Sequence, residues 1–317
     1  MGIGKRIDTP ELNRTSEQKS EKKAPNLVFV PEVPKFTLQD IVLNESTKEQ
    51  ILDAADYVRN SKIVFETWGL AATHKYSHRL GINLYGPSGT GKTMAAHAIA
   101  AYLGRKILVV NYADIESKYV GETPKNIRKA FETAKETHSI LFFDEADAIL
   151  SKRVTNMSSA TDVSVNQTRS VMLMILNDYQ DFVIFATNFI ENFDPAFMRR
   201  IAMHVKFELP DLVCRRRLWR MYIPRQMPNT IDIEHLAKTY DGLSGSDISN
   251  AVLMGAFKAA RKRKVIVEEN DVEEMVKNIL DSKKANQKEN ESITVTRRPV
   301  SKEYVKQQLA GKDGMQA

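Results

Sequence analysis

A single cysteine among 317 residues, Cys214, excludes an internal disulfide and fits a reducing compartment, so a cytoplasmic location is expected. Its apolar-basic helical surroundings point to a packing role for that side chain. Long hydrophobic runs are missing too: no apolar stretch approaches the roughly 20 residues that a membrane span requires. The basic residues of Met1–Asp8 are followed by no apolar h-region, so this stretch does not read as a secretory signal. There is no H-E-x-x-H pattern, hence no zincin-type protease motif, and no internal repeat. What remains, 42% hydrophobic and 27% charged residues, is ordinary for a globular protein with room for a sizeable core.

The net charge of +6 raises the question of a nucleic-acid partner, but the basic residues are spread along the chain. Their densest run, Arg261–Lys264, closes a helical stretch, where cations complement the helix dipole. Nucleic acid is therefore disfavoured as a partner.

Residues 1–34 are polar and charged, with Phe29 the only aromatic, and read as a flexible arm. An ordered unit is expected over 35–209. It opens with an amphipathic helix over about 46–58 and continues with the apolar runs INLY, KILVVN, ILFFD, FVIFATN and MHVKFEL between helical patterns. Near-continuous apolar runs of this length suit parallel strands covered on both faces, which predicts an α/β sandwich with right-handed crossovers. After Pro210 the strand signals stop and four stretches follow a helical period, predicting a small helical subdomain over 210–281. Residues 282–317 read as a polar tail with room for one short helix near its end.

The stretch YGPSGTGKT holds Gly86, Gly91, Lys92 and Thr93 in a G-x4-G-K-T pattern, between the run INLY and the helical MAAHAIAAYL. In that setting the glycines let backbone N–H groups turn toward phosphates, and the helix N-terminus adds a favourable dipole. Lys92 supplies a cation for the β- and γ-phosphates, and the Thr93 hydroxyl is suited to Mg2+. ILFFDEAD carries Asp144 and Glu145 at the end of a buried strand, where open α/β sheets bind ligands. Adjacent strand residues point to opposite sides, so Asp144 would hold Mg2+ and Glu145 would polarise the attacking water. Asn188, ending FVIFATN, fits either a water-orienting amide or a turn residue. Arg199 and Arg200 fit either two surface arginines or charge stabilisers acting on a neighbouring subunit's nucleotide.

Taken in order, YGPSGTGKT, ILFFDEAD, FATN, FDPAFMRR and GLSGSD resemble the motifs of AAA+ ATPases, specifically the AAA clade that includes spastin, katanin and the ATPase part of FtsH. The resemblance spans about 36–281. It implies a P-loop NTPase sandwich followed by a helical lid, ATP and Mg2+ as cofactors, and self-assembly into a hexameric ring. It also implies a polypeptide client, reached directly or through an adaptor and pulled by loops lining a central pore. By resemblance, Gly86, Pro87, Ser88, Gly89, Thr90, Gly91, Lys92 and Thr93 form the Walker A loop, with Met94 beside it, and Asp144 with Glu145 the Walker B pair. Asn188 corresponds to sensor 1, and Arg199 and Arg200 to paired arginine fingers. Asp40 and Ile41 match the segment near adenine, and Gly245 and Ser246 the part of the lid bordering the nucleotide. Lys118, Tyr119 and Val120, followed by Gly121, match the pore loop that grips the client. Two departures stand out: MRRIAMHV replaces the clade's P-G-R-F-D sequence, and Ser88 stands where proline is frequent.

Three other classes fit the sequence less well. An RNA helicase, suggested by DEAD at Asp144–Asp147, would carry S-A-T rather than ATN and a second RecA-like domain. An AAA+ machine acting on DNA, of the initiator or helicase-loader type, would want an appended basic domain. A non-hydrolysing switch is disfavoured by the joint presence of Lys92, Thr93, Asp144, Glu145 and Asn188.

Overall fold

The computed structural model describes residues 27–74, 81–115, 122–152, 160–179, 181–190 and 193–291. The first helix, α1 (Glu45–Lys62), buries Thr47, Ile51, Ala54 and Ala55, the i, i+4, i+7, i+8 stripe of a helix with one apolar face. It outruns the expected 46–58 and passes into a π-helical turn at Ile63–Thr67, then stops at Gly69, whose φ of 76° is left-handed.

Five strands follow: β1 (Gly81–Tyr85), β2 (Ile107–Asn111), β3 (Ile140–Asp144), β4 (Val183–Thr187) and β5 (Met203–Lys206). All neighbours pair in parallel, in the order β2-β3-β4-β1-β5. Each predicted apolar run coincides with one of these strands to within a few residues. The reason the runs are continuous is visible in β3. Ile140 and Phe142 face one core, Leu141 and Phe143 face the other, and all four are fully buried.

Between the strands lie α2 (Lys92–Tyr102), α3 (Tyr112–Ile115), α4 (Glu122–Glu136), α5 (Asp147–Leu150), α6 (Ala160–Asp178) and α7 (Pro195–Met198). Helices α1 and α2 cover one face through Ile51, Ala54, Ala95 and Ile99. Helices α4 and α6 cover the other through Ile127, Phe131, Met172 and Leu176. The register sets Tyr85 beside Thr187 and Asn111 beside Asp144, so the loops after β1, β3 and β4 emerge along one edge.

The C-terminal part is helical, as expected: α8 (Leu212–Tyr222), α9 (Ile233–Thr239), α10 (Gly245–Arg261) and α11 (Glu269–Glu291). Trp219, Leu236, Leu243, Ile248, Val272 and Val276 form its core. A Cβ on Gly255 would lie 2.9 Å from Val272 Cγ2 and 3.1 Å from Val272 Cα, so α10 and α11 approach too closely there for a larger residue. Cys214 is buried in α8, and burial pushes its thiol up to about 11, which suits the expected packing role.

Two expectations are corrected. The stretch 27–34, assigned to the arm, lies against the sheet: Glu32 exchanges main-chain hydrogen bonds of 2.8 and 2.9 Å with Ile107, and Leu27 and Phe29 pack on the α4–α6 side. Val28 and Val30 point outward, so the segment has strand alternation that its polar neighbours conceal. At the other end, α11 continues past Asp281 to Glu291, because this polar sequence has neither glycine nor proline to stop it. Among the described residues no helix is long and apolar enough to cross a membrane.

Candidate nucleotide-binding site

At the carboxyl edge of the sheet the loop after β1, the end of β3 and the start of α10 enclose a cleft of about 300 Å³. The loop's shape depends on its glycines. Gly86 has φ 142°, and a Cβ there would sit 2.0 Å from the Phe207 carbonyl oxygen. Gly89 has φ 76°, and a Cβ there would meet Ser244 Oγ at 2.6 Å. The Thr90 hydroxyl closes the loop by donating to the Pro87 carbonyl at 2.8 Å.

Lys92 opens α2 with its side chain turned back under this loop. Its ammonium donates to Gly86 O at 2.7 Å, Pro87 O at 2.9 Å and Asn188 Oδ1 at 2.9 Å, which uses all three N–H bonds. Burial holds its pKa below the ordinary lysine value, and the nearby Asp144 and Asp147 carboxylates partly offset that. Thr93, one residue on, donates from Oγ1 to Asp144 Oδ2 at 2.7 Å. The other Asp144 oxygen accepts the Glu145 N–H at 2.9 Å.

Glu145 itself is exposed at φ 51°, a left-handed conformation uncommon for a residue with a Cβ. Glu145 lines the cleft beside Asp144, and the next residue, Ala146, returns to β4 through a 2.9 Å bond to Ala186 O.

Asn188 follows β4, and its position is fixed by a residue that motif reading overlooked. The Asp147 carboxylate accepts the Asn188 N–H at 3.1 and 3.2 Å and the Phe189 N–H at 3.2 Å. Asp147 thus ties the turn after β4 to the start of α5. The available signal was a third carboxylate in DEAD, standing just where α5 begins.

Asp40 and Ile41 line the cleft. The Asp40 carboxylate accepts Thr37 N at 2.7 Å and Thr37 Oγ1 at 2.8 Å, which shapes a tight turn and holds its pKa below the usual carboxylate value. Beside them Val42, Leu218, Met221 and Tyr222 form an apolar wall, much of it from α8. Sequence reasoning did not find that wall, since only tertiary packing brings α8 to the cleft. Met94, Gly245 and Ser246 also line it, and the Ser246 N–H donates to Gly89 O at 3.2 Å. The lid therefore touches the loop directly.

Not every candidate gathers here. Arg199 and Arg200 close α7 and do not line this cleft. Arg200 donates to Asn177 Oδ1 at 2.8 Å and to Ala196 O at 2.9 Å, while Arg199 is exposed. The segment carrying both is braced by Asp194, which caps α7 and pairs with the buried Arg169 at 2.9 Å. Lys118, Tyr119, Val120 and Gly121 lie outside the described residues.

A parallel five-stranded sheet with a glycine loop, a lysine beneath it and a threonine–aspartate pair at its carboxyl edge defines a P-loop nucleoside triphosphatase. Residues 82–209 match the ATPase family associated with various cellular activities (AAA). The chain belongs to that family, as an AAA+ ATPase of the AAA clade. It is 33% identical to the ATP-dependent zinc metalloprotease FtsH 4 of Sphaerobacter thermophilus, over 80% of this chain and 38% of that protein. It is also 33% identical to the 26S proteasome regulatory subunit 8 homolog of Saccharomyces cerevisiae, over 84% of this chain and 66% of that one. The Schizosaccharomyces pombe homolog of the same subunit is 32% identical over 80% of this chain and 64% of its own. The chain thus spans from 38% to 66% of these relatives' length.

Proposed function

We propose that this protein hydrolyses ATP with Mg2+ in the cleft described above and, as a homo-hexameric ring, threads or remodels a polypeptide client. The observation that carries the reading is a pair of contacts between the loop and the strand ends: Thr93 Oγ1 to Asp144 Oδ2 at 2.7 Å, and Lys92 Nζ to Asn188 Oδ1 at 2.9 Å. A hydroxyl beside a carboxylate offers the hard oxygen donors that Mg2+ prefers, so Thr93 and Asp144 suit that ion. When bound, the ion neutralises charge on the β- and γ-phosphates. Lys92 exchanges its carbonyl partners for phosphate oxygens, whose negative charge counters the effect of its burial.

Glu145 polarises the attacking water and accepts its proton, and Asn188 orients that water. Asp40, Ile41 and the apolar wall from α8 border the base, while Gly245 and Ser246 carry the lid's response to the nucleotide. Arg199 and Arg200, off their own subunit's cleft, act on the neighbour's nucleotide. The relatives, an ATP-dependent zinc metalloprotease and 26S proteasome regulatory subunits, support a polypeptide client over DNA.

In this reading Lys118, Tyr119 and Val120 line the pore, where an aromatic ring wedges between client side chains without reading their sequence. Tyr119→Ala is then expected to keep ATP turnover within about twofold of the parent while losing unfolding of a fluorescent protein bearing an unstructured tail. Unfolding at the parent's rate would remove Tyr119 from the pulling apparatus.

A further inference from the structure

The phosphate side and the base side of the cleft come from separate pieces of chain, and besides apolar packing one buried histidine makes a hydrogen bond between them. Helix α2 carries Lys92 and Thr93. The segment from Glu32 to Leu43 carries Asp40 and Ile41. His97, on α2 one turn beyond Thr93, is only 3% exposed. Its Nδ1 accepts the Lys35 main-chain N–H at 3.3 Å, and Phe36 stands edge-on to its ring at 5.9 Å between centroids. Its Nε2 lies 3.8 Å from a Glu32 carboxylate oxygen.

The other polar contacts named for this segment do not involve α2. Glu32 pairs with Ile107 on β2, which holds the segment's start to the sheet, and Asp40 accepts from Thr37, which shapes the turn within the segment itself. His97 is therefore a direct polar tie between the base-side segment and the helix that opens at the phosphates. Resting on the nucleotide reading above, we infer that His97 is a positioning residue for the base end of the nucleotide, acting through the Lys35 N–H and the Phe36 ring.

The tie requires an unprotonated Nδ1, since an imidazolium would present N–H against the Lys35 N–H. Burial favours the neutral ring, and so does the Lys35 cation; Glu32 and Asp144 oppose them. Protonation on acidification should loosen the segment while leaving Lys92 and Thr93 in place.

The test compares His97→Leu, which removes the acceptor, with His97→Asn, whose Oδ1 replaces Nδ1 as acceptor. Losing one hydrogen bond corresponds to a roughly two- to tenfold change in an equilibrium constant. The KM for ATP should rise by about that factor in His97→Leu, with kcat within about twofold, while inhibition by tripolyphosphate, which has no base, stays unchanged. His97→Asn should restore KM and abolish the rise in KM that the parent shows on acidification.

If His97→Leu does not fold, Lys35→Pro removes the donor with the histidine intact and should raise KM alike. An unchanged KM in a folded acceptor-less or donor-less variant overturns the inference, as does equal weakening of ATP and tripolyphosphate. A parent protein that neither binds nor hydrolyses ATP would instead overturn the nucleotide reading itself.

Discussion

Glu145→Gln is expected to bind ATP as the parent does and to turn it over on the order of 10² to 10⁴ times more slowly, the usual contribution of a positioned general base. The substitution keeps size and hydrogen-bonding reach but removes the ability to accept the water's proton. Its structural cost should be small, because Glu145 is exposed and glutamine meets the same left-handed backbone as glutamate. Asp144 and Thr93 keep their 2.7 Å contact in the variant, so nucleotide and Mg2+ affinity should persist. Equilibrium binding of a fluorescent ATP analogue together with single-turnover phosphate release separates the two steps. Turnover equal to the parent's would move the base elsewhere in the cleft.

The second large effect concerns the arginines. Arg200→Ala should lower turnover by about 10³, the lower range for an arginine that stabilises phosphoryl-transfer charge, although Arg200 does not line its own subunit's cleft. Asp144→Ala should be comparably inactive because the Mg2+ ligand is gone. Mixing the two inactive proteins creates interfaces that combine an intact cleft from one subunit with an intact arginine from the other. Recovery of turnover on mixing is the expected result. Since Arg200 also holds Asn177 and Ala196, thermal melts of the variant should match the parent before its activity is compared. Two folded variants that never complement each other would contradict action between subunits.

Much of this was legible in the residues. Fully buried parallel strands give unbroken apolar runs, so ILFFD and VIFAT announced themselves. The glycine loop was readable because its backbone geometry admits no side chain at Gly86. Other parts depend on contacts between segments distant in sequence. Nothing in the spacing of α8 tells that Leu218, Met221 and Tyr222 turn toward the cleft. Asp147 looked like one more acid in an acidic motif until its carboxylate met the amides after β4. His97 sat unnoticed in an alanine-rich helix, because its meaning comes from the segment that crosses it. Polar composition also misled at both margins: the strip beside β2 hides its alternation among charges, and α11 continues through residues that are polar but helix-compatible.

The cleft over Lys92, Thr93 and Asp144 is expected to hydrolyse ATP with a divalent ion. The most direct measurement is steady-state phosphate release by the purified protein in Mg2+, then after chelation with EDTA, with Lys92→Ala as the control. Release is expected to stop on chelation, to return with added Mg2+, and to be absent in the control. Release that persists without Mg2+, or that Lys92→Ala retains at the parent's rate, would contradict that expectation.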